Sequence, residues 1–453
     1  MENNKLQERD SFGSKLGIIA AAAGSAIGLG NIWKFPYITG VYGGAAFIVI
    51  YLICIAAIGF PVMLSEFIIG RKGQRNAIGA FQKLAPGTPW FLTGWMGVAA
   101  AFMILAFYGV VAGWCLEYVF KALINSFAGQ SPEAIGNMFG SFISSTAKPI
   151  FWQVFFMLLT GLIVIAGVKD GIEKYAKILM PALLVIIIIL DIRAVTLPGA
   201  KAGLEFLFKP DWGKVSAQGV LVALGHAFFS LSLGMGTMIT YGSYIGKKEN
   251  LADTAIQVTI ADTLIALLAG IAIFPAVFAF GIEPGAGAGL VFVTLPNVFQ
   301  QMPGGYFFAI LFFILLTVAA LTSSISILEV VVAYFVEDLK MARKRATVIA
   351  TIAITLLGIP CSLSMGSMSK VTFFGKNFFD LLDFTASNIF LPLGGLLISA
   401  FVGWYMGKKE VEAEVNQEGV NISYIPLFMF LVKFIAPIAI AIVFLNGIGL
   451  LKF

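Results

Sequence analysis

The sequence predicts an all-α, polytopic membrane protein of about eleven transmembrane helices, and three observations carry that reading. First, 59% of the residues are hydrophobic and only 12% are charged, with a mean hydropathy of +0.95. Soluble domains carry about twice that charged fraction, so most of the surface must face lipid. Second, apolar runs near the ~20 residues needed to cross a hydrocarbon core recur along the whole chain. Third, basic residues gather in alternate connections, the pattern that orients a multi-pass protein.

The apolar runs place spans at roughly 15–38, 42–70, 90–123, 150–167, 173–193, 215–241, 253–281, 305–336, 346–365, 377–406 and 424–449. The stretch 289–303 is apolar but too short and proline-broken to cross, and reads as a re-entrant or capping hairpin. The polar segment 125–149 reads as an external loop. Residues 1–14 are polar and form no cleavable signal; they read as a cytoplasmic N-terminal segment. Lys5, Arg9 and Lys15 precede the first span, and Arg71, Lys72, Arg75 and Lys83 follow the second. Lys169, Lys174 and Lys177 follow the fourth, Lys247 and Lys248 the sixth, Lys340, Arg343, Lys344 and Arg345 the eighth, Lys408 and Lys409 the tenth. These clusters fall on one side, which puts the N-terminus in the cytoplasm of a cell with a plasma membrane, bacterial by the resemblance below. Their clustering also removes the nucleic-acid reading that a net charge of +5 invites. Cys54, Cys115 and Cys361 lie in apolar runs without paired or metal-like spacing and read as small buried hydrophobes.

Two spans are interrupted. The first carries Gly24, Gly28 and Gly30 at its centre, followed by Asn31 and Pro36. The sixth carries Gly234 and Gly236 beside Ser230 and Ser232. Close packing through small residues accounts for either alone. Two breaks five helices apart match the secondary transporters built from inverted repeats, whose half-helix ends form a site at mid-membrane. Exposed amides suit a carboxylate, and exposed carbonyls suit Na⁺ or an ammonium group.

Residues 24–51, GSAIGLGNIWKFPYITGVYGGAAFIVIY, resemble the neurotransmitter:sodium symporter family, specifically its bacterial amino-acid branch. The register continues through FFSLSLGMG (228–236), ALTSSISILE (320–329) and the aspartate of LLDF (381–384). The resemblance implies the leucine-transporter fold, with inverted repeats at 15–193 and 215–406 and an additional helix at 424–449. The family usually has twelve helices; eleven are read here. It implies sodium-coupled symport of neutral hydrophobic L-amino acids by alternating access, and no enzyme activity.

Carried over by position, the amides of Leu29 and Gly30 and the hydroxyl of Tyr108 would take the substrate carboxylate. Carbonyls of Ala26, Phe229 and Ser232 would take its ammonium group. Ile104, Phe229, Met235 and Ile327 would line an apolar side-chain pocket, with Ser232 small. One sodium would sit among Ala26, Asn31, Ser230, Asp262 and the substrate carboxylate itself. A second would sit among Gly24, Ile27, Ala319, Thr322 and Ser323. Lys34 and Asp383 would form the outer gate; Arg9, with Phe12, would pair with Glu337, or with its neighbour Asp338, as the inner one. Gly171 and Pro181 would bound a stretch of the fifth span that unwinds, or else a plain proline kink.

Some relatives hold a chloride ion where this chain has Tyr51, His226, Ser230 and Asp262. With Asp262 supplying that negative charge, chloride is not required. Asp262 without its sodium would carry a proton on the return step, giving proton counter-transport, with His226 as relay or as a neutral hydrogen-bond partner. A membrane enzyme is disfavoured, because His226 is the sole histidine and no HExxH or GxSxG motif is present. A channel would have no need of two gates.

Overall fold

The computed structural model describes residues 10–281, 287–415 and 424–451. Ser14 opens the bundle, its hydroxyl accepting the Gly17 N–H at 3.1 Å and capping the helix Lys15–Ala26. That helix and Gly30–Val41 meet at a 49° bend and together make span 1. Among the described residues, nine further helices are long and apolar enough to cross a membrane. They are Ala45–Gly73 (span 2), Phe91–Leu123 (span 3), Ala147–Val164 (span 4), Val168–Val195 (span 5), Leu251–Ala279 (span 7), Gly305–Glu337 (span 8), Arg343–Leu363 (span 9), Phe378–Val415 (span 10) and Ile425–Gly447 (span 11). Span 6 is split into Ala217–Ser230 and Thr237–Gly242. With span 6 counted from its two short halves, the helices among the described residues follow the eleven apolar runs.

The ends differ in instructive ways. Span 10 continues to Val415, past the expected 406, because its last turns are held by charge. Arg71, at the end of span 2, bonds Glu414 at 2.6 Å and the Glu249 carbonyl at 2.5 Å. Both ionic side chains are buried, which a membrane protein tolerates only when such pairs are fully bonded. Arg343 likewise pairs with the buried Glu329 at 2.6 Å and lies 3.4 Å from Asp10. The first pair ties the end of span 2 to the end of span 10, and the second ties the start of span 9 to span 8 and to the N-terminal segment.

Residues 125–149 depart from the loop expected of them. They hold a helix, Pro132–Ser144, started by the Ser131 hydroxyl, with Ile135, Phe139 and Phe142 buried on one side. The one-turn spacing of those residues is an amphipathic signal short enough to be hidden by the polar residues around it. Phe139 stacks on Phe292 at 5.2 Å, and Phe292 meets Tyr118 at 4.9 Å. Phe292 belongs to the capping segment, which forms the helical turns Leu290–Thr294 and Leu295–Gln301 before Gly304 leads into span 8.

Candidate functional site

The break in span 1 leaves Ile27 extended (φ −75°, ψ 101°). In span 6 Ser232, Gly234 and Gly236 all take positive φ (54°, 77° and 76°). For Ser232 this left-handed conformation is costly, and its hydroxyl meets it by donating to the Ser25 carbonyl at 2.9 Å. The two breaks are thus tied directly together.

Around them lie two groups of oxygen atoms. Thr322 Oγ1 is 3.0 Å from the Ala319 carbonyl, 3.2 Å from Val318 and 3.5 Å from Ile27. Ser323 Oγ is 3.1 Å from the Ser25 carbonyl, 3.3 Å from Ile27 and 3.4 Å from Gly24. Two hydroxyl protons face five carbonyl oxygens. That surplus of lone pairs suits a hard cation bound by oxygen. In the second group, Asn31 Nδ2 donates to Asp262 Oδ1 at 2.7 Å and lies 3.3 Å from Ser230 Oγ. Ser230 donates to the same Oδ1 at 2.9 Å. Asp262 is fully buried, and its Oδ2 makes no hydrogen bond among the described residues. An unmatched buried carboxylate oxygen calls for a cation or a proton. The Tyr51 hydroxyl faces Asp262 and Ser230, and the His226 ring lies 5.4 Å from that of Tyr51, its nitrogens making no hydrogen bond among the described residues.

Ala26, Gly30, Ile104, Tyr108, Phe229, Ser230, Ser232, Met235, Ser323 and Ile327 line a single small cavity between the breaks. Its walls are mostly apolar, and it encloses about 20 Å³. The Leu29 N–H donates to Tyr108 Oη at 3.1 Å. Outside it opens a larger cavity of about 260 Å³, lined by Leu29, Gly30, Trp33, Lys34, Tyr108, Phe229 and Asp383 among others.

Lys34 and Asp383, the expected outer gate, both line this outer cavity, and among the described residues no ion pair joins them. The Lys34 ammonium sits 4.7 Å from the centre of the Phe229 ring, whose face attracts a cation, and Asp383 accepts from Ser387 at 2.8 Å. Arg9 of the inner gate lies outside the described residues. Phe12 packs edge-on against Tyr241 at 5.5 Å, and Glu337 accepts the Asn76 N–H at 2.7 Å. Asp338, the rival partner, bonds Arg75 at 3.4 Å. Gly171 lies in a π-helical turn, and Pro181 lies inside an unbroken helix, so the stretch between them is wound here.

Sequence reasoning passed over Glu66. It is fully buried in span 2, and its Oε1 accepts the Gly234 N–H at 2.7 Å, satisfying an amide freed by the break in span 6. The signal was available: a carboxylate inside the apolar run VMLSEFII is functional by default.

The sequence profile of the sodium:neurotransmitter symporter family matches residues 9–138 and 140–452. The chain belongs to this family. Among the symporter's relatives is the uncharacterized sodium-dependent transporter YhdH of Bacillus subtilis, 45% identical over 99% of both chains. Another is an uncharacterized sodium-dependent transporter of Haemophilus influenzae, 39% identical over 98% of this chain and 99% of its own. Among solved structures, MhsT in complex with L-phenylalanine is 50% identical, with a TM-score of 0.90 over 97% of this symporter and all of that chain. Its fold is the leucine-transporter fold, and the symporter is a multi-pass, sodium-dependent membrane transporter.

Proposed function

We propose that this symporter moves neutral hydrophobic L-amino acids into the cell together with sodium, by alternating access. The observation that carries the reading is the inner cavity: Tyr108, bonded to the Leu29 amide, lines it together with Ile104, Phe229, Met235 and Ile327. With about 20 Å³ of free volume the cavity must widen to admit a substrate, and its lining suits a neutral amino acid, since a charged side chain would be left unpaired in it. The phenylalanine held by the similar MhsT supports this substrate class. Leu29, Gly30 and Tyr108 take the carboxylate, and carbonyls of Ala26, Phe229 and Ser232 take the ammonium group. The cluster around Thr322 and Ser323, with Gly24, Ile27 and Ala319, holds one sodium. Ala26, Asn31, Ser230 and Asp262 hold the other, completed by the substrate carboxylate. That shared ligand couples the two, because each bound charge lowers the cost of the other.

The N-terminus faces the cytoplasm of a bacterial plasma membrane, residues 15–193 and 215–406 are the two repeats, and 424–449 is additional. Lys34 and Asp383 approach as the outer cavity closes, Arg9 and Glu337 with Phe12 guard the inside, and residues 171–181 unwind to release sodium. Counterflow of labelled amino acids in sealed proteoliposomes tests the whole reading. Exchange of phenylalanine or leucine should require Na⁺; equal uptake with Na⁺ replaced by choline would sink it. A sensor, a channel or an enzyme would give no saturable exchange.

Tyr108→Phe should weaken substrate binding by about 1.5–3 kcal/mol, the range for a hydrogen bond to a charged group. Equilibrium binding of labelled substrate checks this, and an unchanged affinity in a folded variant removes Tyr108 from the site.

Chloride is not required on this reading, because Asp262 supplies the negative charge. When sodium leaves, that buried carboxylate takes up a proton, which the empty carrier returns outward with His226 beside it. Asp262→Asn should create chloride dependence or abolish the pH sensitivity of exchange. A variant matching the parent in both assays refutes this role.

A further inference from the structure

Glu173 is charged yet 2% exposed, and it stands near the start of the wound stretch between Gly171 and Pro181. Its Oε2 accepts the Gly13 N–H at 2.6 Å, and its Oε1 accepts the Ser14 hydroxyl at 2.8 Å. Lys177, one turn further along span 5, closes an ion pair on Oε1. Ser14 is itself the cap of the first half of span 1. The contact leaves no slack, since a Cβ at Gly17 would lie 2.2 Å from Glu173 Oε1. The start of span 1 is therefore seated on one carboxylate of span 5, through charge-assisted hydrogen bonds.

The other end of the same stretch reaches the oxygen cluster around Thr322. A Cβ at Gly24 would meet Met180 Sδ and Thr322 Cβ, each at 3.3 Å. Between the two ends, Ile172 and Ala176 line a void of about 10 Å³ with Gly24, Tyr241, Thr322 and Ser326. That is about the room for one water.

We propose that Glu173 is the positioning residue that makes unwinding of span 5 and release of the start of span 1 a single event. The proposal rests on the reading that residues 171–181 unwind. While the helix is wound, Lys177 stays one turn from Glu173 and the carboxylate stays on Gly13 and Ser14. Unwinding takes Lys177 out of reach and swings the carboxylate off its donors. Pulling span 1 away has the converse effect, leaving a buried carboxylate short of two hydrogen bonds, which is relieved when water enters an unwound stretch. Each change favours the other to the same degree. Sodium held by the carbonyls of Gly24 and Ile27 steadies the same half-helix that Glu173 seats.

The test uses Ala176→Cys as reporter in a chain whose Cys54, Cys115 and Cys361 are replaced by alanine. In proteoliposomes, its reaction with a membrane-impermeant thiol reagent is followed with and without saturating Na⁺. The parent should react without Na⁺ and be protected by it. Glu173→Ala should raise the Na⁺-saturated rate about tenfold, within the usual range of coupling between sites. Gly17→Ala, which pushes the carboxylate away without altering charge, should do the same. The double variant should exceed neither, and Glu173→Gln, which keeps an acceptor for Gly13, should stay near the parent. A reporter silent under every ionic condition overturns the unwinding reading and this proposal with it. A normal sodium response that Glu173→Ala leaves unchanged, or additive effects of the two alanine variants, overturns the single-event link alone.

Discussion

Gly28→Ala should cripple sodium-dependent uptake, lowering sodium and substrate affinity together by up to about a hundredfold. A Cβ at that position would lie 2.4 Å from Ser323 Oγ and 2.9 Å from Tyr108 Oη. The first atom belongs to the oxygen cluster around Thr322, and the second to a side chain that lines the inner cavity. Both side chains are buried and cannot retreat into solvent. Overpacking of this kind costs about 1–3 kcal/mol, and about 3 kcal/mol is a little over a hundredfold in affinity. The informative measurement is a pair of titrations, labelled phenylalanine at fixed Na⁺ and Na⁺ at fixed phenylalanine. A change in only one of them means that the two sites are not joined through this glycine.

Glu66→Ala should destabilise the protein by about 3 kcal/mol, because it strands the Gly234 amide away from water. Gly234 cannot move to a new acceptor, since it holds a positive φ against span 10, where a Cβ would lie 2.4 Å from the Leu391 carbonyl. Glu66→Gln keeps an acceptor in place and should cost about 1 kcal/mol. Thermal unfolding of the purified protein, with and without Na⁺, separates the two. Equal losses from alanine and glutamine would mean that charge, and not the amide bond, is what Glu66 provides.

Much of the architecture was legible because hydrocarbon is a simple solvent: an apolar run of sufficient length has few alternatives to a helix. The breaks were legible for the same reason, since Gly28, Asn31, Ser232 and Gly234 make no sense in an uninterrupted lipid-facing helix. The positions assigned through the family resemblance converge here on the two oxygen groups and the inner cavity. What escaped were features that depend on distance between segments. Lys34 and Asp383 share a cavity, but no sequence register says whether they touch. The helix at Pro132–Ser144 exists because Phe139 finds Phe292, more than a hundred residues away. Glu66 announced itself as an anomaly, but its partner is an amide, and backbone amides carry no letter in a sequence.

The bond between Glu66 and Gly234 also constrains how the protein is made. Its two partners are 168 residues apart in the chain. The halves of span 6, 14 and 6 residues long, are each too short to cross a bilayer alone. A nascent chain delivered to lipid one helix at a time would strand a carboxylate first and an unbonded amide later. The bond that satisfies both groups can close only after span 6 has been synthesised, long after span 2. Synthesis order and assembly order are different sequences in this protein.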